Sequence, residues 1–358
     1  MCLNVHGRTA AVLPASVAWS CMTISVSNHP VRFGILGFGR HGVQRLLPAF
    51  RNSTETALAG FWRRDSAKAA ADAAEHGLRA FNSAEELCAS PEIDAVFITS
   101  PDALHLEHAN LAFAHGKAVL CEKPLTMSTA QAEEMLAASQ AAGTLFGVAQ
   151  NFRFNASVQY MRERILAQDI GTPRTAHAEF NYPAHTSTRK WIADSAVACG
   201  GPIGDVGVHC IDTLRFVLDQ DAASISTLAT ADELSGDLEA SAVMQMELSG
   251  GALATVAVSA RAAYRTVLEV VGSEGVLVAE NGLTVDHPVE VQLRRGGKLV
   301  HTQTFSNEDA HTRMLDNFAR AYHRTEPFLA PGIEGVRNQR ILDAGYRSWR
   351  SRSREPLL

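Results

Sequence analysis

Three residues of this 358-residue chain could together move a proton: Lys123, Asp205 and His209. Lys123 stands in Cys121-Glu122-Lys123-Pro124, directly after the apolar run Ala118-Val119-Leu120. A lysine at the carboxyl end of a strand in an open α/β sheet points into the crevice where such folds hold ligands. There it can donate a hydrogen bond to a substrate oxygen or, with a lowered pKa, exchange a proton near neutral pH. Asp205 and His209 lie in Gly200-Gly201-Pro202-Ile203-Gly204-Asp205-Val206-Gly207-Val208-His209. Four apart, they share one face of a helix. A neutral imidazole there can remove a hydroxyl proton while hydride leaves the same carbon, with Asp205 holding the substrate or the ring. An ionised Asp205 raises the histidine pKa and burial lowers it, so an acid limb is expected between about pH 5.5 and 8. A metal is not expected, because no second ligand stands at zinc spacing. Taken singly, Lys123 could be a surface lysine before a loop proline and His209 a structural histidine.

A second chemistry is binding of a dinucleotide. Val31 to Leu36 reads as a strand that runs into Gly37-Phe38-Gly39-Arg40-His41-Gly42 and then a helix, Val43 to Phe50. Gly37 permits the tight turn, Gly39 lets a pyrophosphate approach the backbone, and Gly42 lets helix pack on strand. The helix start then faces the phosphates, with Phe38, Arg40 and His41 beside them. The next strand, Ala57 to Trp62, is followed by Arg63-Arg64-Asp65. An acid at such a strand end suits the ribose of NAD, whereas arginine suits the 2′-phosphate of NADP, which its planar fork can grip twice. Trp62 would cover the adenine and Arg63, with Arg64, the phosphate. NADP is the first expectation and NAD the second, since Asp65 could serve as the acid. The apolar run Ile93 to Ile98 closes at Thr99-Ser100-Pro101, where Ser100 and Pro101 would line the nicotinamide pocket and His105 would hold the loop.

These groups need a scaffold, and the chain supplies alternating strand and helix patterns to about Gln150. Helices are expected at Ser66 to Glu75, Ala84 to Ala89, Leu104 to His115 and Thr129 to Ala142, with further strands around Leu78 to Phe81 and at Leu145 to Ala149. Residues 30–150 therefore read as a doubly wound parallel α/β sheet. Residues 151–358 read as an α+β unit with a large, mostly antiparallel sheet. Its strands are Arg174 to Tyr182, Ala240 to Leu248, Ala252 to Ala260, Thr266 to Val271, Val276 to Ala279, Val289 to Arg294 and Leu299 to Thr304. The helices Ser157 to Ala167, Glu308 to Tyr322 and Ile333 to Arg350 complete it, the last expected to pack back on the first unit. Loops of this second unit would line the substrate pocket, with Arg153, Tyr182, His185 and Trp191 as candidates.

Composition narrows the partners. Hydrophobic residues make up 46% and charged residues 20%, and no apolar run reaches the ~20 residues of a membrane span. A net charge of −6 leaves no electrostatic footprint for nucleic acid. Six scattered cysteines without a Cys-x-x-Cys pair favour free thiols in a reducing compartment, hence a cytoplasmic protein. Arg8 and the mildly apolar stretch Thr9 to Trp19 imitate a signal peptide, but Pro14 interrupts it, so residues 1–29 are expected to be an extension outside the fold.

Together these residues resemble the glucose-fructose oxidoreductase, inositol dehydrogenase and MocA family (Gfo/Idh/MocA). The resemblance is carried by the glycine turn, Ser100-Pro101 with His105, Glu122-Lys123-Pro124, and Gly200-Gly201 with Asp205, Gly207, His209 and Asp212. It implies a Rossmann domain joined to an α/β domain whose open sheet often forms an oligomer interface, here a homodimer or homotetramer. It also implies catalysis by Lys123, Asp205 and His209, and cofactor contacts that include Glu122. Two positions depart from the family pattern: Cys199 where a glycine triplet often begins, and Ile192 after Trp191 where arginine is common. The expected activity is NAD(P)-dependent interconversion of an alcohol and a carbonyl on a sugar, polyol or related diol. Two rivals are a hydrolase using transient oxidation by tightly held NAD, and a dinucleotide-binding sensor that never turns over.

Overall fold

The computed structural model describes residues 29–184 and 190–357, without the side chains of Lys190 and Trp191. Residues 1–28 of the expected extension and His185 thus lie outside the described residues, whereas His29, the last residue of that extension, meets the His323 ring edge-on.

The alternating first half forms a five-stranded parallel sheet of β1 (Val31–Leu36), β2 (Thr56–Trp62), β3 (Ala95–Ile98), β4 (Ala118–Cys121) and β5 (Phe146–Val148), in the order β2-β1-β3-β4-β5. Helices α1 (Leu47–Asn52), α2 (Ser66–His76), α3 (Ala84–Ala89), α4 (His105–Ala114) and α5 (Thr129–Ala142) connect them. β3 and β4 are buried at every residue, as a parallel strand covered on both faces must be. Helix ends follow local chemistry. Asp65 and Ser128 cap α2 and α5 by accepting the Lys68 and Gln131 main-chain N–H groups, and the left-handed Gly77 and Gly143 end them. The winding reverses between β1 and β3, so the crevice opens at their carboxyl ends, beside Gly37 and Ser100. The strand expected around Leu78 to Phe81 is reduced to one bridge, Ala80 to Phe61.

The second half carries α6 (Ala156–Leu166), β6 (Pro173–Asn181), α7 (Val208–Leu218), β7 (Ala222–Thr230), β8 (Ser241–Leu248), β9 (Leu253–Ser259), β10 (Arg265–Gly272), β11 (Val276–Glu280), β12 (Val289–Arg295), β13 (Lys298–Phe305), α8 (Ala310–Tyr322), α9 (Gly332–Ser351) and β14 (Glu355–Pro356). Nine strands make one sheet, ordered β13-β12-β11-β10-β6-β9-β8-β7-β14, antiparallel except for the parallel pair β6 and β9. β8 shows the logic: Ala242, Met244, Met246 and Leu248 point to the covered face, while Val243, Gln245 and Glu247 stand exposed on the other. β7 was not expected; its run of Ala, Ser and Thr lacks the apolar alternation that marks a strand.

α9 touches both sheets. Thr129 at the start of α5 donates its main-chain N–H and its hydroxyl to Asp343, both at 2.7 Å, while Ser348 accepts the Thr227 N–H of β7 at 3.0 Å. Two helices begin differently from the expected regular spirals. The helix after the glycine turn opens with a π turn, Gly42–Leu46, and the helix carrying His209 opens with another, Ile203–Gly207. Such π turns are frequent at functional sites.

Candidate active site

The cleft between the sheets is a cavity of about 720 Å³, within the range of small-molecule and cofactor sites. Gly37, Trp62 and Arg64 line one end, and Lys123, Asp205 and His209 the other.

At the first end, Gly37 has φ +95°, and a Cβ there would lie 2.5 Å from the Ser100 nitrogen, so only glycine fits the close approach of β1 and β3. A Cβ on Gly39 would meet nothing nearer than the Gly37 carbonyl at 3.7 Å. That outer side of the turn is the cradle a pyrophosphate needs, and the residues fit a dinucleotide. The Trp62 carbonyl accepts the Gly37 and Phe38 N–H groups at 2.9 and 3.3 Å, which fixes the end of β2 to the turn. Phe38 itself is 1% exposed and packs on Phe61, so any cofactor contact is through its backbone and its edge on the cavity. Arg40 is exposed and donates to Gln44.

The two arginines after β2 differ. Arg63 is tied to Asp72 of α2 by a short ion pair. Arg64 is exposed and, among the described residues, its side chain has no hydrogen-bond partner. Asp65, the alternative acid, is committed to the α2 cap and to Lys68 at 3.1 Å. Trp62 meets the His108 ring edge-on at 5.7 Å, and burial pushes the His108 pKa down to about 4. Ser100 holds that ring through its hydroxyl, 3.0 Å from Nδ1.

His105 acts as a strut. Its Nε2 lies 2.9 Å from the Ser100 carbonyl and its Nδ1 3.1 Å from those of Pro124 and Leu125, joining the ends of β3 and β4. Pro101 precedes the short turn Asp102–Leu104. Asp102, which the sequence did not single out, accepts the Cys199 N–H at 2.9 Å and so ties this loop to the glycine-rich loop opposite. Burial raises its pKa.

At the other end, the Lys123 ammonium donates to the Asp205 carbonyl at 2.6 Å and lies 3.3 Å from its carboxylate. Tyr182 donates its hydroxyl to the other carboxylate oxygen at 2.7 Å. His209 is buried against Phe152, ring centroids 4.6 Å apart, and its Nδ1 has no partner among the described residues. Burial, and then the Lys123 charge, push its pKa well below 6.5. The acid limb expected between pH 5.5 and 8 is thereby moved to the acid side of 6.5, because desolvation outweighs the attraction of Asp205 and Glu122. Behind Lys123, Glu122 faces His41 at 3.0 Å. Burial works against ionisation of Glu122, yet His41 and Lys123 hold its pKa at about 2. Among the described residues no group of three or more His, Cys, Asp or Glu side chains is placed to hold a metal.

The substrate candidates separate. Tyr182 belongs to the cluster, and Trp191 lies in the turn Lys190–Ala193, whose Ile192 lines the cavity. Arg153 is a correction. It is 4% exposed and bonded to Asp212 at 2.7 and 2.8 Å and to Glu334 at 2.9 Å, a buried ion-pair network that locks α7 to α9. Its expected place in the pocket lining fails because both acids that bury it lie far along the chain. Asn151, Phe152, Phe180 and Tyr264 line the cavity instead.

Comparisons with known proteins agree with this layout. The model of the GFO/IDH/MocA oxidoreductase family, NAD-binding Rossmann fold, matches residues 31–150, and that of the family's C-terminal domain matches residues 158–278. The chain is 30% identical to 1,5-anhydro-D-fructose reductase of Ensifer adhaerens over 85% of this chain and 88% of that protein. It is also 30% identical to D-xylose 1-dehydrogenase (NADP(+)) 2 of Haloferax volcanii, over 88% and 96%. The crystal structure of aldose-aldose oxidoreductase from Caulobacter crescentus superposes with a TM-score of 0.83 at 20% identity, covering 91% of this chain and 99% of that one, which shows the shared fold. With both halves matched and the glycine turn, Glu122-Lys123-Pro124 and Asp205/His209 gathered in one cleft, the chain belongs to the Gfo/Idh/MocA family of NAD(P)-dependent oxidoreductases.

Proposed function

We propose that the protein interconverts an alcohol and a carbonyl on a sugar, polyol or related diol, with Lys123, Asp205 and His209 as its working groups. The observation that carries this reading is the meeting of Lys123 and Asp205 beside His209, at the same cavity as the glycine turn. The relatives' names, a sugar reductase and a sugar dehydrogenase, support the substrate class. The nicotinamide cofactor, held by the Gly37–Gly42 turn and the end of β2, supplies the hydride chemistry when bound. Lys123 donates a hydrogen bond to the substrate oxygen and so favours the charge that builds there. Asp205 fixes that ammonium, and Tyr182 fixes Asp205. His209, neutral because it is buried, accepts the hydroxyl proton in oxidation and returns it in reduction. Phe152, packed on the His209 ring, shields that ring from bulk water.

For the cofactor we infer a preference for NADP. Arg64 carries an unengaged fork at the cavity edge, and the alternative acid, Asp65, is used as a helix cap. We also take residues 30–150 and 151–358 as the cofactor and substrate units of a cytoplasmic protein; among the described residues no helix is long and apolar enough to cross a membrane. A second copy of the chain is proposed to cover the open face of the nine-stranded sheet, as a homodimer or homotetramer. Leu228, Val243 and Ala257 stand in register across that face, with Leu228 78% and Val243 44% exposed. Light scattering at the mass of a single chain would remove that part.

The test of the activity is absorbance of reduced nicotinamide against a panel of neutral sugars and polyols with both cofactors. Net oxidation or reduction of one panel member supports the reading. Turnover without net change in cofactor redox state would instead favour the hydrolase, and no turnover with tight cofactor binding the sensor.

A further inference from the structure

The loop that brings Asp205 to the cleft is held from behind by a residue outside the cavity lining. Glu239, in the segment before β8, is 1% exposed. One of its carboxylate oxygens accepts the Ile203 N–H at 2.6 Å and the other the Gly201 N–H at 3.2 Å. Tyr346 of α9 donates its hydroxyl to the same carboxylate, at 3.1 and 3.2 Å from the two oxygens. Ile203 is the first residue of the π turn that contains Asp205. N–H groups at a helix start have no partner within the helix, and the positive end of the helix favours an anion there. Glu239 therefore acts as a capping group supplied from another segment.

The fit is close on every side. A Cβ on Gly200 would lie 1.7 Å from the Tyr346 hydroxyl, and one on Gly201 2.2 Å from the Glu239 carbonyl. The Gly201 carbonyl in turn accepts the Asp205 N–H at 2.9 Å. Any shift of Gly201 or Ile203 is thus passed directly to Asp205, whose carboxylate meets Lys123 and Tyr182. Burial raises the Glu239 pKa, and the three donors oppose that shift.

We propose that Glu239, with Tyr346, is a positioning residue of the active site: it sets the place of the π turn and so the place of Asp205 against Lys123. The proposal rests on the reading of Lys123, Asp205 and His209 as working groups. It goes beyond that reading in assigning function to two residues that do not line the cavity.

Glu239→Gln tests it, because the amide keeps the size of the side chain but turns one acceptor into a donor facing a main-chain N–H. The expected result is a fall in turnover per folded enzyme of about tenfold or more, since a small displacement of a catalytic group costs up to about a hundredfold. Cofactor affinity should stay within about twofold, because the glycine turn lies on the other sheet. On an Asp205→Asn background the same substitution should cost less than about twofold, as residues acting through one another are not additive. An equal penalty with and without Asp205, or wild-type turnover per folded enzyme, overturns the proposal. If Glu239→Gln does not fold, Tyr346→Phe takes its place: it leaves both main-chain bonds and should lower turnover severalfold, again only when Asp205 is present. Wild-type turnover by Asp205→Asn alone would instead mark failure of the site reading itself, a result distinct from additivity.

Discussion

Lys123 follows β4 and Asp205 lies in the π turn before α7, 82 positions away, yet the lysine ammonium donates to the aspartate's own carbonyl at 2.6 Å and lies 3.3 Å from its carboxylate. The pair joins the first half of the chain to the second across the cleft, and both side chains are largely buried. Asp205→Asn keeps the shape and the carbonyl contact but removes the charge. Losing a charge-assisted hydrogen bond of this kind costs about 1.5–3 kcal/mol, so turnover should fall about tenfold to a hundredfold. Steady-state kinetics on the purified variant check this.

Arg64 should decide the cofactor. Arg63 is held by Asp72, while Arg64 has no competing partner among the described residues. Arg64→Ala should weaken NADP by about tenfold to a hundredfold and leave NAD nearly unchanged, the usual effect of losing a charged contact to phosphate. Fluorescence titration with each cofactor measures it. Arg63→Ala should act less on NADP and more on stability, because it leaves Asp72 unpaired.

The pH profile follows from burial. With its pKa pushed well below 6.5, His209 is neutral across the physiological range and remains able to accept a proton. Alcohol oxidation should therefore show no His209 limb above about pH 6.5, the unperturbed value, and the acid limb should appear only below it. His209→Asn should remove that limb together with most of the activity. A limb that persists in the variant would assign it to another group.

Stability should also fail toward acid. The His311 pKa is brought down to about 3 and that of His108 to about 4, burial being the leading cause for both. Their unfolded-state pKa is 6.5. Above that pH their contribution is complete; below it the unfolded chain takes up protons that the folded one refuses. Each ring then removes on the order of a few kcal/mol as the pH falls from about 6.5 toward 4. Thermal melts should show Tm dropping across this window, and His311→Gln should flatten the slope. An unchanged slope would mean that His311 protonates without cost.

What could be read in advance was local. β1 with its glycine turn, the buried run before Lys123, and the Asp205-to-His209 spacing each carry their chemistry within about ten residues. The misses share a physical reason, which is distance along the chain. Arg153 looked like a loop arginine because Asp212 and Glu334, 59 and 181 positions away, are not visible beside it. Glu239 sits 36 positions from the N–H it accepts, in a stretch with no motif. β7 was hidden for another reason: small residues form its ladder with β8 without an apolar pattern. The π turns were also invisible, since their sequence differs little from that of an ordinary helix start.

The most direct measurement is turnover of Lys123→Ala with the substrate identified by the panel, set beside its cofactor affinity and melting temperature. A positioned acid, base or hydrogen-bond donor contributes about a hundredfold or more, so turnover should fall by at least that much while NADP binding and Tm stay close to wild type. Near wild-type turnover in a folded, cofactor-binding Lys123→Ala protein would contradict the account, because the group at the centre of the cleft would then have no part in the reaction.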